Sequence, residues 1–117
     1  MAITASDCLF CKIGAREIPA DIVHESDHVV AFRDMNPQAP THLLLIPKDH
    51  IESAAAVTSK QGGLLVELFE TAAHLAHTEG LDEGWRLVTN VGPAAGQSVF
   101  HLHFHLLGGR PMRWPPG

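Results

Sequence analysis

The sequence predicts an α+β fold: an antiparallel five-stranded sheet with one long helix and a short N-terminal helix. Three observations predict it. Residues 22–25 and 28–32 are two β-type runs that meet at Ser26-Asp27, which reads as a hairpin. Residues 59–79 place Leu64, Leu65, Leu68, Phe69, Ala72, Leu75 and Ala76 at helical spacing. Residues 99–107 form a β-type run in which 101–106 alternate strictly between imidazole and large apolar side chains. Strands, then one helix, then strands again favour an antiparallel sheet backed by that helix.

In chain order, residues 8–18 suit a short helix, broken near Gly14 and stopped before Pro19. After the hairpin, residues 34–40 are rich in turn formers and form a loop. His42-Leu43-Leu44-Leu45-Ile46-Pro47 is a buried strand closed by proline. The long helix ends at Gly80. Residues 85–90 make the fourth strand, residues 92–96 a Gly/Pro loop, and residues 99–107 the last strand.

The 117 residues suffice for one domain, 1–117, with one core. With 45% apolar and 18% charged residues the composition is that of a globular chain. A net charge of −5 argues against nucleic-acid partners, and no apolar run is long enough to span a bilayer. Residues 1–7 lack a secretory leader pattern, so a cytoplasmic location is expected.

In a strand, His101, His103 and His105 share one face, with alternate Cβ atoms roughly 7 Å apart; Leu102, Phe104 and Leu106 share the other. Three readings compete for the imidazole row. It is a solvated polar face, a metal site, or a centre for nucleophilic and acid–base chemistry at phosphorus. Crowded imidazoles resist becoming cationic together, which keeps at least one neutral near pH 7. Both cysteines sit in Cys8-Leu9-Phe10-Cys11, which is a metal half-site, a redox pair or two unligated thiols. The redox reading is the weakest, because no core strand leads into the pair.

The segment Gln97-Ser98-Val99-Phe100-His101-Leu102-His103-Phe104-His105-Leu106-Leu107-Gly108-Gly109-Arg110 resembles the signature of the histidine-triad (HIT) superfamily, and its Hint branch most. Similar stretches run through nearly the whole chain: Phe10 to Ile13, Glu17 to Ala20, Asp34 to His42, Ile46-Pro47-Lys48 and Trp114-Pro115-Pro116-Gly117. The resemblance implies a hydrolase of purine nucleoside 5′-phosphoramidates, AMP or GMP joined to an amine, acting without a catalytic metal. On it, His103 is the nucleophile that holds the nucleotide covalently, and His105 binds the phosphoryl oxygens. Ser98 matches a serine near the leaving group, and His42 a fourth histidine of the network. Gly96, Gln97 and Ser98 match the phosphate-binding loop. Asp34, followed by Met35, matches the ribose acceptor, and Asn90 a contact near ribose and phosphate. Phe10, Ile13, Ile18, Phe32 and Leu44 match the walls of the base slot.

A subset of these proteins carries zinc, and the matching positions are Cys8, Cys11, His50 and His101; His101 is then a structural ligand. The resemblance also implies a homodimer that continues the sheet, with Trp114 reaching the partner's active site. Dinucleoside polyphosphate hydrolysis, nucleotidyl transfer, a regulatory nucleotide-binding module and a purely structural zinc protein are the alternatives.

Overall fold

A computed structural model describes residues 7–117; residues 1–6, on which the expectation of no leader rests, lie outside it. The chain folds as α1 (Leu9–Gly14), β1 (Ile22–Glu25), β2 (Val29–Arg33), β3 (Thr41–Pro47), α2 (Gly62–Thr78), β4 (Trp85–Val88) and β5 (Phe104–Gly108). The strands form one antiparallel sheet in the order β1-β2-β3-β5-β4. The expected fold class is therefore the observed one. Among the described residues, no helix is long and apolar enough to cross a membrane.

Strand alternation divides the core in two. Val29, Ala31, Leu43, Leu45, Leu102, Phe104 and Leu106 meet Leu68, Ala72, Leu75 and Ala76 of α2. Val30, Phe32, Leu44 and Ile46 point the other way and pack on Cys8, Phe10 and Ile13 around α1. Both faces of β2 and β3 are covered, which is why these strands read as continuous apolar runs. Each fully buried leucine or isoleucine here contributes about 1.5–3 kcal/mol relative to exposure.

Two differences from expectation matter for the site. The long helix starts at Gly62, because residues 59–61 form a 3-10 turn capped by Thr58 and Gln61 in a reciprocal capping box. The last strand starts at Phe104 and not at Val99. Upstream of it the ladder is lost on both sides: β4 stops at Val88, opposite His105, and at the end of β3 the Pro47 nitrogen has no N–H to give and its carbonyl accepts from the His101 ring. Instead the Leu102 N–H donates to the Ile51 carbonyl at 2.6 Å, and the Thr89 hydroxyl donates to the His103 carbonyl at 2.7 Å. The alternation of side chains survives this irregularity. Leu102 joins the core under α2, while the rings of His101 and His103 pack against Phe10 on the opposite face.

Candidate active site

The three imidazoles stand in a row against α1 and the loop between β2 and β3. The ring centroids of His103 and His105 are 5.1 Å apart, and those of His42 and His105 are 5.1 Å apart. His101 and His103 are buried; His105 is half-buried. The solvated-face reading of the row is thereby excluded.

Hydrogen bonds assign a tautomer to each ring, since a neutral imidazole has one donor and one acceptor nitrogen. His101 Nε2–H donates to the Pro47 carbonyl at 2.8 Å, which leaves its Nδ1 lone pair facing the two sulfurs. His103 Nδ1–H donates to the His101 carbonyl at 2.7 Å, which leaves the lone pair on Nε2. Among the described residues no group engages that Nε2, and it is not sealed from solvent. The Gln38 backbone N–H donates to His42 Nδ1 at 3.0 Å, so the His42 proton is on Nε2. That proton is donated to His105 Nδ1 at 2.9 Å, and His105 keeps its own proton on Nε2.

The result is an unprotonated nitrogen on His103 beside a ring with an N–H donor on His105. Burial pushes both below the ordinary histidine value, His105 to about 4 with help from the neighbouring His103 and His42. For His103, the bond to the His101 carbonyl and the charge of Asp34 oppose the shift. Burial likewise lowers His42, again against Asp34. All three rings are neutral near pH 7 on these shifts.

Asp34 serves the loop as well as the site. Its Oδ1 accepts from the Asn36 N–H at 2.8 Å, and its Oδ2 lies 3.4 Å from His42 Nε2. Asp34, His42 and His105 are close enough together to hold a metal ion. The hydrogen bonds read otherwise: His42 Nδ1 is already an acceptor, so a metal on Nε2 would demand an imidazolate.

Cys8, Cys11, His50 and His101 form the second cluster, with their four donor atoms within 4.8 Å of one another. Cys8 Sγ lies 3.2 Å from His101 Nδ1, and Cys11 Sγ lies 3.4 Å from both His50 Nδ1 and His101 Nδ1. Ligand atoms around a tetrahedral ion at zinc bond lengths stand roughly 3.5 Å apart. Two sulfurs and two lone-pair nitrogens at this spacing fit such an ion, and the Pro47 carbonyl locks the His101 tautomer that binding needs. Without a metal, burial and the neighbouring Cys8 hold the Cys11 thiol up at about 11.

Four of the five residues expected to wall a base slot are buried in one cluster: Phe10, Ile13, Phe32 and Leu44; Ile18 packs against it, half-exposed. Asn90 and Gly96 are neighbours, the Asn90 Nδ2 lying 3.7 Å from where a Cβ on Gly96 would stand. Gly96 has φ +98°, a left-handed conformation that favours glycine. The Gln97 side chain is not free for a ligand. It accepts from the Gly92 N–H and donates to the Glu52 and Val99 carbonyls. Ser98 is exposed, as are Met35 (100%) and Trp114 (83%), so these two are not packed against the site within this chain. Sequence reasoning missed Gln38, whose backbone N–H sets the His42 tautomer, and Arg86, Arg110 and Arg113, which line a cavity with His42 and His105. Strand pairing held the clue for Arg86, because it shares the face of Val88 and His105.

The HIT domain family model matches residues 15–112. The chain belongs to the HIT family. A 14 kDa zinc-binding protein of Brassica juncea is 50% identical over 113 residues, covering 95% of this chain and 100% of that relative. Adenylylsulfatase HINT1 of Arabidopsis thaliana is 48% identical over 121 residues, covering 100% of this chain and 82% of the relative. Among solved structures, a HIT family hydrolase from Legionella pneumophila Philadelphia 1 superposes with a TM-score of 0.92 at 54% identity, covering 94% of this chain and 99% of that one. The row of imidazoles lies inside the stretch that the HIT domain model matches, and the cysteine–histidine cluster sits at its upstream end.

Proposed function

We propose that this HIT protein hydrolyses nucleoside 5′-phosphoramidates through a nucleotidyl intermediate on His103. The observation that carries the proposal is the His103 tautomer: Nδ1–H is bound to the His101 carbonyl and Nε2 is a free, solvent-reachable lone pair. Hydrolase relatives, and one named an adenylylsulfatase, support action at a nucleotide's α-phosphorus.

In the first step, His103 Nε2 forms a bond to phosphorus and the phosphorus–nitrogen bond breaks. The leaving nitrogen takes a proton from solvent, relayed by the Ser98 hydroxyl, and departs as the amine. His103, now an imidazolium, keeps its Nδ1–H on the His101 carbonyl, which stabilises the positive charge. His105 Nε2–H donates to a phosphoryl oxygen. In the second step water bonds to phosphorus, the phosphorus–Nε2 bond breaks, and His103 returns neutral; of the water's two protons one replaces that spent in the first step and the other is taken by the released amine. Overall, a phosphoramidate monoanion and water give a nucleoside monophosphate dianion and an ammonium ion. Asp34 and Asn90 are assigned to the ribose side, and the cluster around Phe10 and Phe32 to the base.

Cys8, Cys11, His50 and His101 would hold zinc, which fills four positions and leaves none open for chemistry. It supplies structural stability when bound. A homodimer fits the same picture: β4 is an edge strand, and Val66, Phe69 and Trp85 are exposed apolar groups near that edge or on α2.

The test is release of AMP from adenosine 5′-phosphoramidate, with mass-spectrometric mapping of the trapped intermediate. The expected result is turnover by the parent, an AMP adduct on His103, and a His103→Ala variant slower by a factor of about 10³ or more. No turnover by the parent, or equal turnover by the variant, overturns the proposal.

A further inference from the structure

We infer that the cavity beside His105 is an anion subsite for the leaving group, so that preferred substrates carry a carboxylate or similar anion on the amine. This rests on the reading above that His103 and His105 handle the α-phosphoryl group.

The cavity has a volume of about 490 Å³ and is lined by His42, His105, Asn90, Arg86, Arg110 and Arg113, among others; no Asp or Glu side chain lines it, and the one carboxylate at its wall is the backbone carboxylate of Gly117. Strand pairing explains the placement. Leu44, His105 and Val88 form one row across β3, β5 and β4, and His42, Leu107 and Arg86 form the next. Rows on one face are about 7 Å apart. An anion held at Arg86 is therefore a few bonds away from a phosphoryl group at His105, the reach of a small amine substituent.

The charge pattern separates these arginines from the other cations. Arg16 and Lys48 pair with Glu25, and Arg33 pairs with Glu79. Arg86, Arg110 and Arg113 form no ion pair among the described residues. Two of them are nevertheless fixed in place. Arg86 donates to the Arg113 carbonyl at 2.9 Å, and Arg110 donates to the Gln38 and Pro111 carbonyls at 3.1 Å. Carbonyls orient a guanidinium without cancelling its charge. Three arginines thus line the cavity against the single carboxylate of Gly117, in a chain whose net charge is −5. Guanidinium groups bind carboxylate, sulfate and phosphate through paired N–H donors, and a cavity in which one sign of charge predominates concentrates the opposite sign. A cationic amine would be repelled by the same wall.

The experiment compares three adenosine 5′-phosphoramidates of similar size, built on glycine, glycinamide and ethylenediamine. At low ionic strength, kcat/KM is expected to fall in that order, with at least a tenfold gap between the first and last. The gap should shrink as salt is added. In an Arg86→Gln/Arg113→Gln double variant the ratio of glycine to glycinamide probe should approach one, while Arg86→Lys should keep most of it. Equal turnover of all three by the parent, preference for the diamine, or an unchanged ratio in the double variant overturns the inference. Should no probe be turned over, the catalytic reading fails and the subsite is judged by binding. Inorganic sulfate should then shift the ¹⁵Nε–H resonances of Arg86 and Arg113 but not of ion-paired Arg33. Absence of that selective shift overturns the subsite as well.

Discussion

The carbonyl oxygen of His101 accepts the Nδ1–H of His103 at 2.7 Å, so one residue offers its ring to the cysteine cluster and its backbone to the adjacent imidazole. The ring of His101 is held from the other side by the Pro47 carbonyl. A displacement of His101 therefore moves the acceptor that sets the His103 tautomer. Removing the zinc proposed for this cluster, by chelation or in a Cys11→Ser variant, is expected to lower kcat about 10–100-fold with a smaller effect on KM. Thermal stability should fall in parallel, read by calorimetry alongside metal content. A metal-free protein with unchanged kcat would show that the cluster does not position His103.

The His42 ring acts on the site through His105. Its Nε2–H reaches His105 Nδ1 at 2.9 Å, and the Gln38 N–H holds its other nitrogen. Replacing His42 by Ala removes the donor and lets His105 shift its proton to Nδ1, away from the phosphoryl side. A loss of about tenfold or more in kcat is expected. His42→Gln places an amide N–H in a similar position and should recover part of it. Imidazole ¹⁵N shifts read the His105 tautomer directly. If that tautomer is the same in His42→Ala as in the parent, the relay is not what fixes it.

The alternating pattern over residues 101–106 made the face of each side chain legible, and the helical spacing around Leu68, Ala72 and Leu75 made α2 legible. The start of β5 was not. Alternation specifies which side a residue faces, but a ladder also needs partner groups: β4 ends at Val88, and Pro47 at the end of β3 has no N–H and gives its carbonyl to the His101 ring. The cysteine–histidine cluster was readable only through family resemblance, since His50 lies in a loop with no periodicity to place it. Arg110 and Arg113 escaped notice because their placement depends on how the tail crosses the sheet. Gly96, Gln97 and Ser98 were assigned as backbone N–H donors to phosphate from their position in a motif; the Gly96 and Gln97 N–H groups donate to the Pro93 and Gly92 carbonyls, and the buried Gln97 amide is used inside the protein as well.

The buried histidines give stability a defined pH dependence. His105 has a folded value of about 4, depressed by burial and by its neighbours, and burial depresses His42 in the same direction. Between the ordinary histidine value near 6.5 and about 4, the unfolded chain binds protons that the folded protein does not. Stability therefore falls as pH falls through this window and is fully present above it. Each such histidine adds a slope of at most about 1.4 kcal/mol per pH unit. Exposed His77, raised by its hydrogen bond to Asp82, contributes in the opposite sense. Denaturant unfolding at pH 7.5, 6 and 5 should show the decline, and His105→Asn should flatten it. An equal slope in parent and variant would assign the decline to other groups.

Gln97 offers a test that separates loop support from ligand contact. Its Oε1 accepts from the Gly92 N–H at 2.8 Å, and its Nε2 donates to the Glu52 and Val99 carbonyls at 2.9 and 3.1 Å. These bonds tie the 92–97 loop, which carries Gly96 beside Asn90, to the segment ahead of the triad. Gln97→Ala leaves a backbone donor and two carbonyls without these partners, at a cost of about 1–3 kcal/mol for each group that stays buried and unpaired. A Gln97→Glu variant keeps the acceptor for Gly92 but replaces the double donor with a charge beside two carbonyls, so it should be at least as destabilised as Gln97→Ala. A side chain that only touched a bound nucleotide would give a raised KM at unchanged unfolding free energy in both variants. The structure predicts the opposite order of effects: lost stability in the ligand-free protein, with kinetic changes following from loop disorder. Denaturant unfolding without nucleotide, set beside KM for adenosine 5′-phosphoramidate, decides between the two.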